Sequence, residues 1–124
     1  MTDEAWPSEI RLVEGGRALV VVFEDGVRHH FAAEHLRVRT PSAEVQGHSA
    51  ADRKTLGGKR NVLIRDVTPV GNYAVRLDFD DGHDTGLFTW RFFRDLGPRQ
   101  AEDFVAYERE LTKKGLDRDR PGEA

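Results

Sequence analysis

The chain has 124 residues, 38% of them hydrophobic and 33% charged, with a formal net charge of -3 and no cysteine. That length fits one domain with a modest core, the charge offers no field for a phosphate backbone, and the missing thiol removes disulfides, thiolate metal ligands and cysteine nucleophiles. No apolar run nears the ~20 residues that span a bilayer, and the acidic start Met-Thr-Asp-Glu lacks the basic-then-apolar pattern of a secretory leader, so a cytoplasmic protein that binds neither nucleic acid nor membrane is expected.

In chain order, residues 1–6 read as a flexible tail, 7–115 as a single domain and 116–124, charged and proline-containing, as a disordered tail. Glu9 to Val13 is a strand stopped by Gly15-Gly16, and Ala18 to Glu24, with Leu19-Val20-Val21-Val22-Phe23, is too β-branched and continuous for a surface helix, which predicts a central strand. Asp25-Gly26 then turns the chain into Val27 to Phe31, followed by a short helix from Ala32 to Arg37. Residues 40–61 lose all periodicity and read as a long functional or mobile loop. Gly57-Gly58-Lys59-Arg60 suggests a phosphate loop, but the Walker spacing falls on Arg53 and Arg60 where glycine and Ser or Thr are needed. Val62 to Ile64 with Val67 is a further strand, turned by Pro69 to Asn72.

The stretch from Asn72 to Trp90 carries the strongest hairpin signal. Val75, Leu77 and Phe79 alternate with Arg76, Asp78 and Asp80, and Asp81-Gly82 supplies a turn that needs positive φ. A two-residue loop would set Asp80 opposite His83 and place His83 on one face with Asp78 and Thr85. Thr89 is an expected N-cap and Gly97 an expected C′ residue of a short helix; Pro98 opens a longer one with Ala101, Phe104, Val105, Glu108 and Leu111 on its inner stripe. The fold class is therefore α+β: a mainly antiparallel sheet of five or six strands, two short helices and a longer C-terminal one. Phe23, Val75, Leu77, Phe79, Phe88, Trp90 and Phe104 are expected in one core.

Five histidines and many carboxylates raise the question of a metal enzyme. His29 and His30 are neighbours on opposite faces of a strand and cannot hold one ion together, His35 reads as a helix surface residue, and His48 has no local partner at ligand spacing. His83 stands apart: beside Asp80 and Asp84 it is either a proton carrier or ligand, or a residue that ties the hairpin by hydrogen bonding. No nucleophile elbow, His-Glu-x-x-His, P-loop or dinucleotide fingerprint occurs, which sets aside serine hydrolases, zincins, NTPases and Rossmann enzymes.

Two separated motifs, Leu36-Arg37-Val38-Arg39-Thr40-Pro41-Ser42-Ala43-Glu44-Val45-Gln46-Gly47-His48 and Gly71-Asn72-Tyr73-Ala74 followed by Phe79-Asp80-Asp81-Gly82-His83-Asp84-Thr85-Gly86 and Trp90, resemble the gamma-butyrobetaine hydroxylase N-terminal-like domain family over about Pro7 to Gly97. In dioxygenases with such a domain the family's pattern binds zinc through three cysteines and a histidine. The histidine matches His83; the cysteine positions fall on Thr40, Ser42 and Val45, which cannot act as thiolates. The chain thus looks like the cysteine-free bacterial branch, whose members mostly stand alone. Related domains fused to iron–sulfur cluster carriers imply an accessory role near iron-dependent machinery.

The reading of the sequence is a noncatalytic binding or assembly module with a protein partner, its surface joining Arg37, Ser42 and His48 to Asp80, Asp81, His83 and Asp84. No cofactor and no structural zinc are expected, and Thr40 or Ser42 is the expected partner of the His83 imidazole, which acts as a structural latch or as a recognition residue. The alternative is a small metal-binding protein or metal-dependent enzyme, with His83, His48 and nearby carboxylates holding iron or another divalent ion weakly.

Overall fold

The computed structural model describes residues 6–41 and 54–124. Strands β1 (Pro7–Val13), β2 (Ala18–Phe23) and β3 (Arg28–Ala32) form one antiparallel sheet in that order; β5 (Ile64–Val70), β6 (Ala74–Phe79) and β7 (Leu87–Thr89) form another; β4 (Leu56–Gly57) pairs with β8 (Gly122–Glu123). The helices are α1 (Ala33–Val38), α2 (Trp90–Leu96) and α3 (Gln100–Lys113). The α+β class is as expected, but the strands are divided over three small sheets. Glu14–Gly16, where three successive residues have positive φ, turns β1 back onto β2 within the first sheet. A Cβ on Gly16 would lie 2.5 Å from the Ile64 carbonyl oxygen, so glycine there lets the first sheet close on the second.

β2 is central because both its faces are covered: Leu19, Val21 and Phe23 point into the main core, and Ala18 and Val20 are also buried. That core continues through Val75, Leu77, Phe79, Phe88 and Phe93, with Trp90 half-buried against it. Phe104 belongs elsewhere. A second, smaller cluster of Val38, Tyr107 and Leu111 has Leu56, Phe104 and Leu116 packed on it. α3 therefore turns Phe104, Tyr107 and Leu111 inward, positions spaced i, i+3, i+7, and leaves Val105 45% exposed.

Both hairpin glycines have the expected positive φ, +89° at Gly26 and +92° at Gly82, yet neither loop has two residues. In each, the Phe carbonyl accepts from the glycine N–H and the Phe N–H donates to the residue after the glycine: Gly26 to Phe23 at 2.9 Å and Phe23 to Val27 at 2.8 Å; Gly82 to Phe79 at 3.1 Å and Phe79 to His83 at 2.9 Å. This is a type I turn closed by a glycine bulge, with loops 24–26 and 80–82.

Gly97 departs from expectation: its φ is -46°, helical and not left-handed. Glycine is needed because the His29 imidazole occupies the place of its Cβ. Residues 116–124, expected as a disordered tail, instead pack on the domain, since Leu116 joins the second cluster and Arg118 reaches the buried Glu34.

Candidate functional site

The tip of the second hairpin is tied down from several sides. Asp81 Oδ1 accepts the His83 N–H at 3.1 Å, and Oδ2 accepts Arg37 Nε at 2.8 Å and Lys59 Nζ at 2.6 Å. Burial alone would raise the Asp81 pKa, but the hydrogen bonds from Lys59, the His83 amide and Arg37 together hold it below the ordinary 3.8. Next to it, Asp80 Oδ1 accepts the Leu63 N–H at 3.0 Å while the Asp80 N–H donates to the Leu63 carbonyl at 2.9 Å. Arg37 is 9% exposed and its Nη1 is buried without a hydrogen-bond partner among the described residues.

His83 is half-buried, its Nε2 3.3 Å from Thr40 Oγ1 and its ring centroid 6.2 Å from that of Phe79. Thr40 is one of the two expected partners. The carboxylate face expected for His83 is not the one it occupies, because the glycine bulge sets His83 opposite Phe79, and a shift of one residue moves a side chain to the other face of a strand. The β6–β7 ladder itself ends at Arg76 opposite Leu87. Between them, 83–86 runs close to Thr40, whose hydroxyl lies where a Cβ on Gly86 would be. Asp84 is exposed; Ser42, Val45 and His48 lie outside the described residues.

The donor set does not fit the zinc site that the resemblance implies. Thr40 offers a neutral hydroxyl, Val45 has no donor atom, and among the described residues no three His, Asp or Glu side chains are placed to hold a metal ion. Tetrahedral zinc sites are built on thiolate, imidazole and carboxylate ligands.

Three polar side chains buried on α1, Glu34, His35 and Arg37, were not legible as such. Glu34 receives Arg118 at 2.6 and 2.7 Å; His35 Nε2 lies 2.7 Å from Asp103 Oδ2, which also accepts Arg39 Nε at 3.0 Å; Arg37 holds Asp81. His35, expected on the surface, is 3% exposed. Asp103 is partly desolvated, which acts to raise its pKa, but the hydrogen bonds from His35 and Arg39 leave it lowered. Lys59 and Arg118 are the charged residues missed near the tip. With Asn61, Asp80, Asp81 and Asp119 they border an open concavity of about 270 Å³. For Lys59 the preceding Gly57-Gly58 was the available signal; for Arg118 there was none.

The profile of the family described as gamma-butyrobetaine hydroxylase-like, N-terminal, matches residues 10–94. Two solution NMR structures are 41% and 39% identical to this chain, cover 93% and 92% of it and 90% and 85% of their own lengths, and superpose with TM-scores of 0.78 and 0.79. A crystal structure of a protein with unknown function from Acidithiobacillus ferrooxidans, assigned to the DUF971 family, is 40% identical over 77% of this chain and 96% of that one, with a TM-score of 0.61. No curated protein matches.

Proposed function

The chain belongs to the gamma-butyrobetaine hydroxylase-like N-terminal family, and from that premise we propose that it is a noncatalytic module that binds a protein partner through the tip of its second hairpin. The observation that supports this is the locking of the tip. Asp81 is held by α1 through Arg37 and by Lys59, and Asp80 by the residue preceding β5. Catalytic acids and bases need an open position for substrate, whereas Asp81 spends both its oxygens and Asp80 its Oδ1 on internal partners. What the tip offers outward is a fixed shape with the exposed Asp84 and the half-buried His83, and a preorganised surface loses little freedom on binding.

The proposed partner belongs to iron-dependent or iron–sulfur machinery, the class suggested by the domain fusions of related proteins, and the proposed compartment is the cytoplasm. No helix among the described residues is long and apolar enough to cross a membrane. The test is affinity capture from native lysate with wild type, His83→Ala and Asp84→Lys, each checked for an unchanged melting temperature or a matched correction. A partner kept by wild type and lost by Asp84→Lys is expected; identical capture by all three overturns the reading. Stoichiometric iron or zinc in the purified protein, lost in His83→Ala, would replace it with the metal-binding alternative.

A further inference from the structure

Each three-stranded sheet and the helix that follows it are built to one plan. β1-β2-β3-α1 and β5-β6-β7-α2 are both antiparallel meanders ending in a short helix, and they agree in detail. The first ladder of each slips by one residue at the same place: Pro7 faces Phe23 and Glu9 faces Val22, while Ile64 faces Phe79 and Asp66 faces Asp78. Ala18 and Ala74 open the two middle strands, both buried, opposite Ala32 and Thr89. The carbonyl just before each, of Arg17 and of Tyr73, accepts the N–H of the first helical residue, Ala33 at 2.7 Å and Trp90 at 3.1 Å. Phe31 and Phe88 fill the core from the third strands, and the fifth residue of each helix is an arginine, Arg37 and Arg94. The units differ by one extra residue between Gly82 and Phe88. Two unrelated hairpins can share an Asp-Gly turn; sharing the ladder slip, the strand-to-helix bond and the arginine position as well points to a repeated unit.

The two arginines are exchanged. Arg37, in the first unit, donates to Asp81 in the second unit's turn at 2.8 Å; Arg94, in the second, pairs at 2.9 Å with Asp25 in the first unit's turn. Three residues beyond each arginine the chain meets the other hairpin again, Thr40 at His83 and Gly97 at the His29 imidazole. Such reciprocal contact between equivalent residues is the mark of a twofold pair. Each helix also begins directly where its own third strand ends, α1 at Ala33 after Ala32 and α2 at Trp90 after Thr89. A hairpin that tilts therefore carries its helix, and the arginine that holds the other tip, along with it. We infer that the domain is an internal duplication, a fused twofold pair, whose exchanged arginine–aspartate clasps couple the two hairpin tips, so that a contact at the first tip changes how firmly the second is held. This adds regulation to the hairpin-tip reading and rests on it only for the use made of the second tip.

The test is amide hydrogen exchange on full-length chains carrying Asp25→Asn or Asp81→Asn. Asparagine keeps the Oδ1 that accepts the N–H two residues on and gives up the charge facing the guanidinium, so the clasp is weakened while the turn is kept. Asp25→Asn is expected to speed exchange of the Phe79 and His83 amides in the opposite turn by about threefold or more, and Asp81→Asn to do the same to Phe23 and Val27. Acceleration confined to the turn that carries the substitution overturns the coupling. Val105→Gly, on the outer side of α3, is the control: it lowers global stability and is expected to leave turn amides, which exchange through local opening, at wild-type rates. An equal acceleration in this control would reduce the effect to lost stability and equally overturn the inference. Asp25 and Asp81 share no partner, so their effects on the unfolding constant would ordinarily multiply; the double variant is expected to fall short of that product by about threefold or more, and a simple product counts against the inference. Should Asp81→Asn not fold, Asp25→Asn, read at Phe79 and His83, decides alone. No arm uses a binding partner, so failure here leaves the hairpin-tip reading as it was.

Discussion

Two turns of this molecule are built alike and used differently. Phe23-Glu24-Asp25-Gly26-Val27 and Phe79-Asp80-Asp81-Gly82-His83 share the same pair of main-chain bonds, and in each the aspartate Oδ1 accepts the N–H two residues on, at 3.1 Å in both. At the first, Asp25 pairs with Arg94 at 2.9 Å in an exposed setting and the β2–β3 ladder runs on in register. At the second, Asp81 carries a buried arginine and a lysine, and the chain leaves the ladder over 83–86 to pass Thr40. The difference teaches that turn chemistry makes the bend, whereas the load on it is set by residues far away in sequence. Candidate function follows the load.

The comparison can be pressed by substitution at equivalent positions. Phe23 and Phe79 are each 1% exposed in one core, so Phe→Ala at either is expected to cost about 3–5 kcal/mol in denaturant unfolding; a small loss at Phe79 alone would mean the second hairpin is not part of the cooperative unit. Asp81→Ala leaves Arg37 largely buried without its carboxylate and is expected to cost about 2–3 kcal/mol, clearly more than Asp25→Ala.

Acid titration sharpens the same pair. Asp81 has a folded pKa lowered from 3.8, so its stabilisation is in place above that value and is lost as the pH falls through the lower folded one. The acid limb of the stability curve is therefore expected to become shallower in Asp81→Ala, and an unchanged limb would deny the Arg37–Asp81–Lys59 group its role. Next in size, His83→Val gives the second turn the residue found in the first. With Thr40 2% exposed and its hydroxyl deprived of the imidazole, the expected loss is about 1–2 kcal/mol, read as a lower melting temperature; no loss would assign His83 wholly to recognition. Smallest, Gly26→Ala and Gly82→Ala should each cost about 1 kcal/mol, from left-handed strain alone, because a Cβ at either position meets nothing within 4 Å.

The hairpins, the central β2 and the aromatic core were legible because their signals are local: alternation at Val75, Leu77 and Phe79, the continuous run to Phe23, and an Asp-Gly pair after each. Thr40 as a partner of His83 came from the matched motif positions, and the structure brings the two together. What stayed hidden is the interior polarity of α1. Ala-Glu-His-Leu-Arg-Val reads as a helix with a solvated side, yet all six residues are buried, because Arg118, Asp103 and Asp81 arrive from other elements to meet Glu34, His35 and Arg37. Charge complementarity at long range leaves no periodic trace. The same blindness produced the supposed tail: 116–124 is polar by composition, and it packs through the pair with Glu34, the Leu116 contact and main-chain bonds to 55–60, partners that lie mostly far away in sequence.

Those three pairs also impose an order in time. Arg37, His35 and Glu34 lie 44, 68 and 84 residues from their partners, all of them downstream. A six-residue helix does not hold by itself, so during synthesis α1 waits. Its buried side chains can meet their partners in one sequence only: Arg37 once Asp81 has emerged, His35 after Asp103, and Glu34 last, after Arg118. A nascent chain paused between those points carries one or two uncompensated groups at the place where its two clusters must meet. α1 is thus closed by partners drawn from three later parts of the chain, and its burial is a property of the assembled fold and not of its own six residues.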